Sequence, residues 1–134
     1  MDITYILQIL LSGFVVGIIL FQTAIAAPIV FSSLKPDQSR IFIRRVFPII
    51  FTLLFSIGII MIILILFYGA KHPSQLPIGL ITFIFPLICA ILVPATNRAT
   101  DQNNNKKFNI LHRISVILTM VVLILNLIWP FYSL

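Results

Sequence analysis

The stretch VFPIIFTLLFSIGIIMIILILFY, residues 46–68, carries no charged side chain and decides the class of this protein. As an α-helix rising about 1.5 Å per residue, it is long enough to cross a hydrocarbon core of about 30 Å. Residues 3–31, 76–95 and 114–134 have the same character, and none of these stretches contains Asp, Glu, Lys or Arg. The sequence therefore predicts an all-α integral membrane four-helix bundle.

The composition leaves little room for a domain outside the membrane. Of the 134 residues, 60% are hydrophobic and only 9% are charged, whereas a soluble domain carries about a quarter charged residues. We therefore expect a single transmembrane domain over residues 1–134. The lone cysteine, Cys89, excludes an internal disulfide framework and any site that needs several cysteines.

The basic residues fall almost entirely on one side of the alternating loops. The first and third loops, with the adjoining helix ends, hold eight of the nine Lys and Arg residues: Lys35, Arg40, Arg44, Arg45, Arg98, Lys106, Lys107 and Arg113. The positive-inside rule predicts that these loops face the cytoplasm and that both termini lie on the non-cytoplasmic side. We assign topology and lipid contact to Arg40, Arg44, Arg45, Arg98, Lys106 and Lys107. The net charge of +6 is explained in this way, and no nucleic-acid partner is expected.

Two of the predicted spans carry a polar stripe. Helical periodicity places one stripe on span one and one on span four, consisting of Gln8, Ser12, Gln22, Thr23, Asn109, His112, Ser115, Thr119 and Asn126. Unpaired polar groups are costly in hydrocarbon, so both stripes should face protein or water rather than lipid. Spans one and four are therefore predicted to meet or to face a common interior.

The stripe around His112 has two interpretations. It could line a polar path or binding pocket that opens to the cytoplasm, where the imidazole could relay protons because histidine titrates near neutral pH. It could equally consist of interhelical hydrogen bonds that set helix register. Similarly, Gly13 and Gly17 form a GxxxG pattern that could mediate dimerisation or packing within the chain.

The sequence contains few residues that could form a catalytic or cofactor-binding site. The three acids, Asp2, Asp37 and Asp101, are dispersed, and there is no Ser–His–Asp set or phosphate-binding glycine loop. We therefore predict no enzyme, no catalytic residue, no metal site and no cofactor-binding residue. The predicted topology places His72 and His112 on opposite sides of the membrane, so haem held within one chain is not predicted.

Several short motifs carry a family resemblance. They are Ala27-Pro28-Ile29-Val30-Phe31, Leu34, Val46-Phe47-Pro48, Asn97-Arg98 and the run from Phe108 to Ser115. With these motifs the chain resembles the small uncharacterised membrane domain of transmembrane-protein-205-like proteins and their bacterial relatives. One departure is Thr119, where similar proteins often have an asparagine seven residues after the histidine. The resemblance implies four helices and membrane residence, but no activity.

Three functional hypotheses remain at this point. The first is a non-enzymatic accessory or interaction subunit of a larger membrane complex, in contact with lipids and with other subunits or itself. The second is a transport-related or small-solute-binding bundle that uses the two polar stripes. The third and weakest is a haem-linked or redox membrane protein. The bias towards Ile, Phe, Leu and Asn is typical of AT-rich genomes, so we expect the bacterial inner membrane or an organellar membrane.

Overall fold

Four long helices make up nearly all of the chain. The computed structural model describes residues 2–134, with α1 at Ile3–Ser33, α2 at Pro36–Tyr68, α3 at Gln75–Asp101 and α4 at Asn105–Tyr132. Each helix is long and apolar enough to cross a membrane. The prediction of an all-helical, four-helix protein is confirmed, and the length and composition of the helices indicate an integral membrane protein.

Three helices extend beyond the predicted spans, all at the end where the basic residues lie. The structure begins α2 at Pro36 rather than residue 46, continues α3 to Asp101 and begins α4 at Asn105. The predicted spans stopped near the first charged residues, whereas a helix needs only backbone hydrogen bonds and can continue beyond the apolar core. Most of the basic residues therefore lie on helices, whereas Lys35 lies in the connection between α1 and α2.

Capping side chains mark the starts of α1 and α4. The Asp2 carboxylate accepts a hydrogen bond of 2.9 Å from the backbone N–H of Thr4, at the start of α1. At the start of α4 the Asn104 side chain accepts from the N–H of Lys107 at 3.2 Å. Helix α2 ends at Tyr68 and is followed by Gly69, whose φ of 80° is accessible to glycine but strained for other residues. These local signals fix the short connections.

The helices are arranged in a ring, in which α2 packs on α3, α3 on α4, and α1 on both α4 and α2. We call the end that holds Asp2, residues 69–74 and Ser133 the terminal end. The opposite end, with residues 34–35 and 102–104, is the basic end. After Leu20, α1 packs mainly against α2. The bundle is therefore closed at the terminal end and more open between α1 and α4 at the basic end.

The core is small, and most large apolar side chains point outwards. The main buried cluster consists of Val15, Ile19, Phe51, Leu54, Met61, Cys89 and Val122. Side chains such as Phe14, Phe67 and Ile91 are more than half exposed. Such an apolar exterior suits contact with lipid tails and would be a liability in water.

Glycines bring α2 and α3 into close contact. A Cβ atom added to Gly58 would lie 2.6 Å from the Cα of Phe83 and 2.6 Å from the carbonyl carbon of Thr82, both backbone atoms of α3. By contrast, Gly13 and Gly17 are exposed, and an added Cβ would meet nothing within 4 Å. Within the described part of the chain, the GxxxG pair therefore takes no part in packing between helices.

Candidate functional site

The structure divides the predicted polar stripes into two groups. Near the terminal end, Gln8, Ser12 and Asn126 are buried and hydrogen-bonded, although the Oδ1 of Asn126 has no partner among residues 2–134. Near the basic end, five stripe residues line one cavity: Gln22, Thr23, His112, Ser115 and Thr119. The remaining stripe residue, Asn109, is exposed and lies outside both groups.

A reciprocal pair of amides joins α1 to the start of α3. The Nε2 of Gln8 donates to the backbone carbonyl of Gln75 at 2.8 Å, and the Nε2 of Gln75 donates to the Oε1 of Gln8 at 2.9 Å. The Oε1 of Gln75 also accepts from the backbone N–H groups of Lys71 and His72. Both glutamines are almost fully buried, at 1% and 0% exposure. This group is structural, because its main donors and acceptors are satisfied internally.

Two further hydrogen bonds hold α4 in the ring. The indole N–H of Trp129 donates to the Oγ of Ser12 at 2.8 Å, and the Nδ2 of Asn126 donates to the Oγ1 of Thr82 at 2.9 Å. The first bond joins α1 to α4 directly, so the prediction that spans one and four meet is confirmed. In this half of the bundle the stripe fixes helix register.

Side chains at the terminal end form a small polar surface. A shallow cavity of about 510 Å³ is lined by Asp2, Tyr5, Lys71, His72 and Ser133. The hydrogen bond from the backbone N–H of Thr4 and, secondarily, the nearby Lys71 ammonium hold the pKa of the Asp2 carboxyl below its usual value. This carboxylate therefore acts as a helix cap and as a surface ion-pair partner.

A π-helical turn interrupts α1 where the second group of polar residues begins. It spans Phe21–Ala26, and the N–H of Ala27 donates to the carbonyl of Gln22, five residues earlier. Pro28, which lacks an N–H, follows at the start of the next α-helical segment. Wider turns of this kind recur at functional sites. Nothing in the sequence analysis predicted this turn, although Pro28 was its visible signal.

The cavity at the basic end has a volume of about 700 Å³ and is lined by residues from all four helices. This volume lies within the range of small-molecule sites. Its walls are largely apolar and include Phe31, Ile43, Phe47, Ile50, Val93 and Met120. The cavity extends from the middle of the bundle, at Ile19, to the start of α2, at Pro36.

Gln22 is the exceptional polar group of this cavity. It is only 5% exposed, and its Nε2 has no hydrogen-bond partner among residues 2–134. An unpaired amide donor in an apolar setting costs roughly 1–3 kcal/mol. The neighbouring Thr23 and Thr119, by contrast, donate to the carbonyls of Ile19 and Ser115 in their own helices. The cavity therefore presents one buried donor that the protein itself leaves unused.

Two arginines line the cavity towards the basic end, and they differ in their ion pairing. Arg44 forms an ion pair with Asp101 and donates to the carbonyl of Asn97 at 3.3 Å. For Arg40, no acid lies within ion-pair distance among residues 2–134. Arg40 is exposed and Arg44 is half-buried. The other predicted basic residues are also exposed but lie outside the cavity lining, namely Arg45, Arg98, Lys106 and Lys107. From the sequence, Arg40 and Arg44 were predicted to serve only topology and lipid contact, and their place in the cavity was not predicted.

His112 lines the same cavity and is largely exposed. Its ring stacks on Phe108 with a centroid distance of 5.5 Å. His72 lies at the terminal end, where its Nδ1 is 2.6 Å from the Oγ of Ser74. Within the described part of the chain, no group of three or more His, Cys, Asp or Glu residues is placed to hold a metal ion.

Comparison with known proteins gives a family but no activity. No curated protein and no solved structure matches the chain. A family described as a domain of unknown function (DUF4149) matches residues 10–105. The matched segment contains most of α1, all of α2 and α3 and the first residue of α4, so Gln22, Arg40 and Arg44 lie inside it and His112 outside it. Because the match covers most of the chain, the protein belongs to the DUF4149 family.

Proposed function

We propose that this protein binds a small amphipathic molecule within the membrane, in the cavity at the basic end. The observation that carries the proposal is the unpaired, buried Nε2 of Gln22 in the lining of a largely apolar cavity. Buried polar groups nearly always have partners, and an exception calls for a ligand, an ion or water. A molecule with apolar surface and an oxygen acceptor would satisfy both the walls and the amide.

The opening between α1 and α4 suggests how such a molecule reaches the cavity. Beyond Leu20, α1 packs mainly against α2, while Ser115, Val116 and Thr119 of α4 line the cavity from the other side. A lipid-soluble molecule could therefore enter sideways from the bilayer. We further propose that the basic end faces the cytoplasm of a bacterial inner membrane, or the equivalent side of an organellar membrane, because it holds eight of the nine Lys and Arg residues.

Filling the cavity should weaken ligand binding. Ala27 is partly buried and lines the cavity, whereas Ala24, on the same stretch of helix, is exposed and lies outside it. We expect Ala27→Phe to lower the affinity for added monoolein and 1-oleoyl-lysophosphatidate at least tenfold, because its ring would occupy the cavity. The matched control, Ala24→Phe, places the same ring in lipid and should bind like the wild type. Native mass spectrometry of the full-length protein in mild detergent measures both.

The proposal fails if neither lipid binds the wild-type protein, or if Ala27→Phe and Ala24→Phe bind equally well. In the second case the lipids would be held on the outer surface rather than in the cavity. Circular dichroism of each variant shows whether the helices remain intact.

A second candidate is the accessory subunit of a larger membrane complex. Its support is that only the short segments 34–35, 69–74 and 102–104 connect the helices, so partners would be met mainly inside the membrane. The outward Gly13 and Gly17 would allow a neighbouring helix to approach closely. On a native gel of gently solubilised membranes we expect this 15.2 kDa chain to migrate with a large complex. Migration as a monomer would contradict this role.

The remaining predictions stay proposals. We propose that the protein is not an enzyme, which is supported by the separation of Asp2 at the terminal end from Asp101, which pairs with Arg44 at the basic end. Haem within one chain is not proposed, since His72 and His112 lie at opposite ends of the bundle. We also propose that, within its family, the protein is related to the transmembrane-protein-205-like proteins.

A further inference from the structure

We infer that the ligand of this cavity is an anionic single-chain lipid, whose headgroup is bound by Arg40 and whose deeper oxygen is bound by Gln22. The inference rests on the proposed binding function and specifies its ligand class. The chemistry required is a phosphate or carboxylate at one end, an ester or similar oxygen acceptor next to it, and one acyl chain.

The first support is that the cavity offers free donors rather than acids. Several hydroxyl groups in its wall already donate to carbonyls of their own helices, namely those of Thr23, Thr96, Thr100 and Thr119. Donors that remain free include the amide of Gln22 and the guanidinium of Arg40. Among the residues that the structure describes, no aspartate or glutamate lines the cavity. A ligand that fits this lining brings acceptors or negative charge.

The second support is the difference between the two arginines. Arg44 forms an ion pair with Asp101, whereas the exposed Arg40, one turn earlier on α2, attracts Asp101 only at longer range and has no acid within ion-pair distance among residues 2–134. The surrounding basic end adds further positive charge, with only Asp37 and Asp101 as acids. Arg40 is therefore the cavity residue whose charge is available to a ligand, and its planar guanidinium suits phosphate or carboxylate oxygens.

The third support is the distance between the two polar positions. The Oγ of Ser39, the neighbour of Arg40, donates to the carbonyl of Val30 at 3.3 Å, so these residues lie at the same depth. Gln22 precedes Val30 by eight residues, which is about 12 Å of helix. An extended lysophospholipid, whose ester lies several bonds from its phosphate, can reach both positions. A free inorganic anion could contact only one of them and would leave the apolar walls empty.

The decisive comparison uses two lipids that differ by one phosphate. In full-length protein purified in neutral detergent, we expect 1-oleoyl-lysophosphatidate to bind at least tenfold more tightly than monoolein. Arg40→Gln should lower the affinity for the lysophosphatidate about tenfold and leave that for monoolein unchanged, while Arg40→Lys should retain most of it. Arg45→Gln removes a nearby exposed charge outside the cavity and should have no effect.

Three results would overturn the inference. Equal affinity for the two lipids would show that charge is not recognised. Equal losses in Arg40→Gln and Arg45→Gln would show general attraction to a basic surface. Competition by glycerol 3-phosphate at the affinity of the lysophosphatidate would show a free-anion site. In the first two cases, the proposed binding function would still stand if monoolein bound the wild type but not Ala27→Phe. If neither lipid bound the wild type, both proposals would fail.

Discussion

Gly58→Ala is expected to destabilise the bundle by about 2 kcal/mol, the cost typical of inserting atoms into a well-packed interior. The added Cβ would lie 2.6 Å from the Cα of Phe83, a backbone atom that cannot rotate away. The two helices would have to separate at their closest point. The thermal unfolding midpoint in mild detergent, followed by circular dichroism, should fall by several degrees.

Gly13→Ala is the matched control for this prediction. Both substitutions replace a mid-helix glycine by the best helix former and gain up to about 1 kcal/mol of helix propensity. At Gly13 the new methyl group meets nothing within 4 Å, so only this gain should remain. The unfolding midpoint of Gly13→Ala should equal or exceed that of the wild type. An equal loss at both positions would mean that the contact between Gly58 and α3 contributes nothing.

The glycines also show what a sequence pattern cannot predict. The GxxxG motif drew attention to Gly13 and Gly17, but a spacing of four shows only that two residues share a helix face. Which face meets another helix depends on the rotation of each helix in the bundle. Gly58 and Gly79, which form no such motif within one helix, occupy the α2–α3 interface instead. The four helices, by contrast, were predictable because an uncharged run such as residues 46–68 needs no tertiary information.

The polar stripe was predictable in position but not in role. Helical periodicity placed Gln8 and Gln22 on one side of α1, and both are buried. Whether each of these amides is hydrogen-bonded depends on residues far away in the sequence. Gln8 meets Gln75 of α3, whose role was not predicted from the sequence, whereas Gln22 lies beside a cavity. A single sequence does not reveal which buried amide is paired, because pairing depends on contacts between helices.

The two glutamines of α1 should therefore respond in opposite ways to the same substitution. Gln8→Leu removes both amide bonds to Gln75 and leaves the Nε2 of Gln75 buried without a partner, which should cost about 1–3 kcal/mol. Gln22→Leu removes a donor that is already unpaired in the unliganded protein. Its unfolding midpoint should rise, by an amount equivalent to about 1 kcal/mol.

The two variants should rank in the opposite order for lipid binding than for stability. This reversal distinguishes a ligand site from ordinary helix packing. Gln22→Leu should bind 1-oleoyl-lysophosphatidate about tenfold more weakly in spite of its greater stability, because a leucine cannot donate to the ligand's oxygen. Gln8→Leu should bind like the wild type at temperatures where it is folded, since Gln8 lies outside the cavity. A Gln22→Leu protein that is destabilised like Gln8→Leu would show that Gln22 bonds to another helix. The cavity would then lose the unpaired donor on which its function is proposed.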